Sequence, residues 1–180
     1  MDDPIERRVS TAAAATLWRP LQVVWLAVTL SGCALFAQPD IHRGQTEADV
    51  RAVLGHETGR YAMPDATTRL EFATGPYGRT TWMVDVDTAG RVISGQQVLT
   101  AFNLADVQGR APGMTREELL RTLGRPGERR NGDWQGGEVW SWRYPTNDCV
   151  WFQSSIGDDG IVRDGVFGID PRCAGRGGRR

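Results

Sequence analysis

The sequence predicts an α+β fold made of two tandem repeats, each a short helix or helix pair packed on a three-stranded antiparallel meander. Three observations predict it: self-similarity within the chain, a helix-capping pattern at the start of each copy, and closely spaced turn residues between alternating runs behind each cap. Gly44-Gln45-Thr46-Glu47-Ala48-Asp49-Val50 recurs as Gly113-Met114-Thr115-Arg116-Glu117-Glu118-Leu119, and both run on to Leu-Gly, at Leu54-Gly55 and Leu123-Gly124. The offset is 69; further on, Leu70-Glu71-Phe72 aligns with Trp140-Ser141-Trp142, Trp82 with Phe152, Gly90 with Gly160 and Val92 with Val162 at an offset of 70. Self-similarity at a fixed period is the mark of a repeated structural unit.

Each element follows from its residues. Thr46 with Asp49, and Thr115 with Glu118, have the spacing of a capping box, in which the hydroxyl accepts from a first-turn amide and the acid reaches back to the cap's own N–H. The box prefers Glu or Gln at its last position, so the Asp49 version is the weaker expectation. Val50, Val53 and Leu54, and Leu119, Leu120 and Leu123, then recur at helical spacing. Gly55 and Gly124 suit the left-handed stop, with Pro126 beyond the second. A helix of about ten residues is expected in each copy. Strands are expected over 69–74, 80–86 and 91–99, and over 139–144, 149–156 and 161–169, because Gly, Pro, Asn and Asp turns separate alternating runs. Residues 103–108 are expected to add a short helical turn before the second helix.

Ahead of the repeats, Leu21 to Ala37 is almost wholly apolar, Gln22 being the exception, with Arg19 and Pro20 before it and Arg7 and Arg8 further out. A positive flank, a short apolar run and small residues make a secretory signal. Leu30-Ser31-Gly32-Cys33 resembles the bacterial lipobox, which implies cleavage before Cys33 and acylation of its thiol. Ala34 rather than aspartate follows, which in such proteins implies the periplasmic face of the outer membrane. The alternative is an uncleaved inner-membrane anchor, for which the run is short against the roughly 20 residues a span needs. Each acyl methylene contributes about 0.8 kcal/mol to anchoring, so several chains hold permanently.

The charge is nearly balanced, 21 basic against 22 acidic residues, which gives no electrostatic reason to expect nucleic acid as partner. Every basic residue is Arg, so Schiff-base and P-loop lysine chemistry are excluded. With Cys33 acylated, Cys149 and Cys173 remain, and an even remainder in a small exported domain predicts a disulfide. The alternative is two separate thiols.

Gly-x-Thr-x-x-acid-aliphatic, three residues, Leu-Gly and then a meander resembles the BamE/SmpA lipoprotein family. The second copy fits better, at Gly113-Met114-Thr115 and Leu123-Gly124-Arg125-Pro126; in the first, Gln45 stands where Met is usual and Glu57 where Pro is usual. Two such units in tandem are similar to the β-lactamase inhibitory protein architecture. The resemblance covers residues 40–173, and implies a binding module that helps outer-membrane protein assembly or occludes an enzyme.

The domain reading is therefore a signal over 1–32, a lipid-anchored linker over 33–43, repeats over 44–102 and 103–173, and a Gly/Arg tail over 174–180. Trp140, Trp142 and Tyr144 share a strand face, and Trp151 shares another with Cys149 and Gln153. Exposed aromatic rows anchor interfaces, which makes Trp140, Trp142, Tyr144 and Trp151 the candidate protein-binding residues; the competing reading is that the first three simply fill a small core. Asp85, Asp87, Asp158 and Asp159 read as turn formers rather than calcium ligands. His42 and His56 lack zinc spacing, and no Gly-x-Ser-x-Gly elbow is present. The expectation is a non-enzymatic envelope protein that needs no metal, cofactor or small-molecule substrate and binds another envelope protein, with an inhibitor of a periplasmic or secreted enzyme as the alternative.

Overall fold

Helix α1 spans Glu47–Leu54, and strands β1 (Gly59–Ala62), β2 (Thr68–Thr74), β3 (Thr80–Val86) and β4 (Val92–Gln97) follow it. Helices α2 (Ala101–Arg110) and α3 (Arg116–Leu123) come next, then β5 (Glu128–Asn131), β6 (Glu138–Trp142), β7 (Val150–Ile156), β8 (Val166–Ile169) and the four-residue helix α4 (Pro171–Ala174). This computed structural model describes residues 38–75, 79–132 and 136–174, and the described residues from 39 on belong to one compact unit. No helix among the described residues is long and apolar enough to cross a membrane. The signal and Cys33 lie outside the described residues, as does the expected tail over 174–180 except Ala174, which ends α4.

The α+β class holds: two antiparallel sheets form, in the orders β1-β2-β3-β4 and β5-β6-β7-β8. Each sheet has four strands where three are expected from the sequence. The extra strands, β1 and β5, are four residues each, GRYA and ERRN. Neither shows an apolar alternation over enough residues to register as a strand. Both are edge strands, and their arginines are the kind of charge that blunts an edge. Helices α1 and α3 are eight residues each, shorter than expected, and α2 is a full ten-residue helix rather than a single turn.

The local chemistry of the two halves is the same. Thr46 and Thr115 both form the full capping box: each hydroxyl accepts from the N–H three residues on at 3.2 Å, while Asp49 and Glu118 accept from the cap's N–H at 2.8 and 2.7 Å. Aspartate thus closes the box as well as glutamate does. Gly55 and Gly124 end the helices at φ 84° and 77°. Val92 N–H reaches Gln45 O, tying the start of α1 to β4, and Val162 N–H reaches Met114 O, tying the start of α3 to the bridge residues that precede β8. The pairing of Met83 with Gln96 and of Trp82 with Gln97 recurs 70 residues on as Gln153 with Val166 and Phe152 with Phe167.

Packing stacks the elements in layers. One face of the first sheet, with Leu70, Phe72, Val84 and Val86, closes on Val50 and Leu54 of α1. Its other face meets α2 and α3: Met83, Val98 and Leu99 join Leu104, Val107, Leu119 and Leu123 in one core with Trp140, Trp142 and Phe152 of the second sheet. So α2 and α3 lie between the sheets. Polar groups cross the same boundary, with Arg69 Nη1 donating to Arg121 O at 2.9 Å and Arg125 N–H donating to Glu71 Oε1 at 3.2 Å.

The two helix-stop glycines differ in what surrounds them. A β-carbon on Gly55 meets open space, whereas one on Gly124 would lie 3.0 Å from Glu71 Cδ and from Thr81 Cγ2. Gly55→Ala should therefore cost only the backbone strain of a positive φ with an extended ψ, about 1–2 kcal/mol. Gly124→Ala should add overpacking and cost about 3 kcal/mol in total. Urea denaturation of the two variants checks this; equal losses would contradict the packing of α3 against the first sheet.

Candidate functional site

The aromatic row on β6 faces inward. Trp140 and Trp142 are fully buried and Tyr144 nearly so. Their rings build a chain of edge contacts: Trp140 on Trp142 at 6.1 Å, Trp142 near Phe152 at 6.2 Å, Phe152 on Phe167 at 5.4 Å and Tyr144 on Phe167 at 6.1 Å. Arg129 caps the rim with its guanidinium 4.3 Å from the Trp140 ring centre, and Trp142 Nε1 donates to the Gly124 carbonyl at 3.1 Å.

Trp151 lies on the opposite face of the second sheet but is only 4% exposed. Arg143 covers it, the guanidinium 4.8 Å from the ring centre. Arg143 is itself fixed by Asp170, through Nε at 2.6 Å and Nη2 at 2.9 Å, and by Glu128 at 3.3 Å. The Arg143 hydrogen bonds, outweighing burial, hold the Asp170 carboxyl below its ordinary value. These positions correct the expectation of an exposed aromatic face at Trp140, Trp142, Tyr144 and Trp151: the first three are core, and the fourth lies under a paired arginine. The physical reason is size, because a thin domain fills the space between helix and sheet with its largest rings.

Cys149 and Cys173 are bridged, with their α-carbons 5.9 Å apart. Cys149 sits at φ 53°, a left-handed backbone costing about 1 kcal/mol outside glycine. The bridge and the Asp170 N–H to Cys149 O bond at 2.9 Å hold it there. Together these groups fasten α4 and the end of β8 to the start of β7.

The remaining sequence candidates serve structure. Asp85 pairs with Arg69 at 2.7 Å. Asp87 accepts from the N–H groups of Ala89 and Arg91 in its turn. Asp158 accepts from Gly137 N–H, and Asp159 from Ile161 N–H and from Arg163. His42 stands exposed beside Asp40. Among the described residues no group of three or more His, Cys, Asp or Glu is placed to hold a metal ion.

Two features escaped the sequence. Glu71 is a fully buried acid that accepts from Tyr61 Oη, from Thr58 Oγ1 at 3.0 Å and from Arg125 N–H. Burial, and next the bond to Glu71, push the Tyr61 phenol well above its ordinary value. A lone charge between Leu70 and Phe72 was the available signal. The second is the outer edge of β8, where Val166 is 43% and Ile169 72% exposed. No family model matches the chain, and neither a curated protein nor a solved structure matches it.

Unfolding the oxidised domain without reductant should release no thiol from Cys149 or Cys173, and reduction should lower stability by about 3.5 kcal/mol, the chain-entropy value for closing a 24-residue loop. Quantitative thiol labelling with and without reductant checks both. Two reactive thiols from this pair before reduction would refute the bridge.

The Arg143–Asp170 pair should leave a pH signature. Because the folded-state pKa of Asp170 is depressed, its stabilisation is present above the ordinary carboxyl range and is lost as pH falls through the folded value. Asp170→Asn should cost about 3 kcal/mol at neutral pH, leaving the buried Arg143 with only its longer contact to Glu128 as an ion pair. The Tm gap between Asp170→Asn and the parent should then narrow steadily below about pH 4. A gap independent of pH would contradict the pairing.

Proposed function

We propose that the chain is a lipid-anchored protein of the bacterial envelope, tethered through Cys33 at the periplasmic face of the outer membrane. Its folded part is a non-enzymatic module that binds other envelope proteins, in outer-membrane protein assembly or envelope maintenance. The observation that carries this reading is the Cys149–Cys173 bridge: it takes two of the three cysteines and leaves Cys33, in its lipobox-like setting, for acylation. A disulfide also fits an oxidising compartment outside the cytoplasm.

The finer fold reading supports the same conclusion. We read the two halves as tandem copies of one BamE/SmpA-like unit, on the strength of their matched capping boxes, helix-stop glycines and strand register. In such a unit the charged residues of the interior are spent on structure. Glu71, Arg69 and Arg143 all have partners that lock layers or strands together. What remains for recognition is the outside of a rigid block, chiefly its strand edges.

Cys33→Ser should release the folded protein from membranes, because acyl chains and not the domain hold it there. Fractionation checks this, and a variant that stays membrane-bound with its signal intact would support the uncleaved anchor. Affinity purification from membranes then separates the binding readings. Co-purifying β-barrel assembly components support the first; a single soluble hydrolase supports the inhibitor reading.

A further inference from the structure

The four sheet edges are treated differently. β1 carries Arg60 and β5 carries Arg129 and Arg130, charges that discourage pairing. β4 is tied at its start to Gly44 and Gln45, and Ile41 lies against its Gly95. β8 alone has no such guard: residues 165–169 read Gly-Val-Phe-Gly-Ile, without a charge.

The pairing of β8 fixes which of its backbone groups are free. Asp170 N–H bonds to Cys149 O, so 149 and 170 form a hydrogen-bonded pair. Hydrogen-bonded and non-bonded pairs alternate along an antiparallel ladder. Trp151 with Gly168 and Gln153 with Val166 are then bonded pairs, while Phe152 with Phe167 and Val150 with Ile169 are not. Phe167 and Ile169 therefore turn their N–H and C=O away from β7, and among the described residues nothing bonds them.

A second, independent feature lies beside this edge. Trp151 is buried, yet its Nε1–H has no hydrogen-bond partner. It faces β8 at Gly168, where a β-carbon would stand 3.0 Å from Gln153 Oε1 and 3.5 Å from that nitrogen. The missing side chain leaves the indole donor and the Gln153 amide bordering the space above Gly168, beside the row where a neighbouring strand would place an outward side chain. Buried donors without acceptors are costly, so an acceptor arriving there is favourable.

We propose that β8 is a strand-addition site for an extended segment of another envelope protein, one that alternates aliphatic and hydroxyl-bearing residues. The incoming strand bonds to Phe167 and Ile169 through its backbone. It sets a Ser or Thr hydroxyl beside Gly168 to accept from Trp151, and packs aliphatic side chains along Ile169. This rests on the protein-binding reading and names the chemistry of its partner.

The test uses the purified full chain in detergent and a fluorescein-labelled peptide of three Thr-Val repeats flanked by lysines. Fluorescence anisotropy should show saturable binding, and N-methylation of alternate peptide amides should abolish it. Ile169→Pro removes a free edge N–H that no intramolecular bond uses, and should weaken binding by about tenfold. Trp151→Phe keeps the packing and removes the donor; it should weaken the Thr-Val peptide but leave an all-Val peptide unchanged. Circular dichroism and an intact Cys149–Cys173 bridge confirm that each variant is folded, and Val166→Lys gives a second edge variant should Ile169→Pro fail to fold. Undiminished binding by the N-methylated peptide, or by the folded edge variants, would overturn the proposal. So would absence of peptide binding, including the case in which the chain instead forms a dimer that Val166→Lys dissolves, which would make β8 an interface between copies. Affinity purification from membranes reads protein binding without the peptide, so failure at β8 with envelope proteins still captured is distinguishable from failure of the protein-binding reading.

Discussion

The structure turns on one peptide group, between Gly124 and Arg125. Its carbonyl accepts from Trp142 of the second sheet, and its N–H donates to Glu71 of the first. A single rigid plane thus pins the end of α3 to both layers that enclose it. Glu71 would be expensive to bury alone, and it stays buried because Thr58, Tyr61 and this peptide supply donors from three directions. Gly124 follows from the same constraint, because at φ 77° and in contact with Glu71 and Thr81 no side chain fits.

That junction has no counterpart in the second sheet, although the backbone there repeats. Seventy residues on from Arg69, Glu71, Ala73, Thr81 and Met83 stand Val139, Ser141, Arg143, Trp151 and Gln153. The first set receives α3 and its following turn. The second set covers itself: Arg143 lies over Trp151, and Gln153 donates to Ser141 at 3.0 Å. The outer face of the second sheet is thus closed by its own polar side chains rather than by a helix.

Local chemistry was legible in the sequence where it is carried by adjacent residues. The capping boxes at Thr46 and Thr115, the stops at Gly55 and Gly124, and the turns at Asp87 and Asp159 all form as their spacing implies. The Cys149–Cys173 bridge was legible through arithmetic alone. What was not legible depends on partners far apart in the chain. β1 and β5 are strands because β2 and β6 lie beside them, and four residues rich in arginine carry no signal of that. The aromatic row could be read as core or as interface until the position of α2 and α3 decided it. The pairing of Glu71 with Arg125 N–H and of Arg143 with Asp170 spans 54 and 27 residues, so no local pattern announces it.

The disulfide gives the unguarded edge its definition. An edge that frays must be ordered before anything can pair with it. Here Cys173 is bonded back to Cys149, Asp170 N–H is tied to the same residue, and the Asp170 carboxylate grips Arg143. All three constraints act on the segment directly after Ile169. They fix the last residues of β8 at the cost of a left-handed Cys149. A strand held this way keeps its free N–H and C=O groups aligned before any partner arrives, and a surface ordered in advance loses less entropy on binding. The bridge, the Asp170 N–H and the Asp170 carboxylate therefore order the end of β8 together.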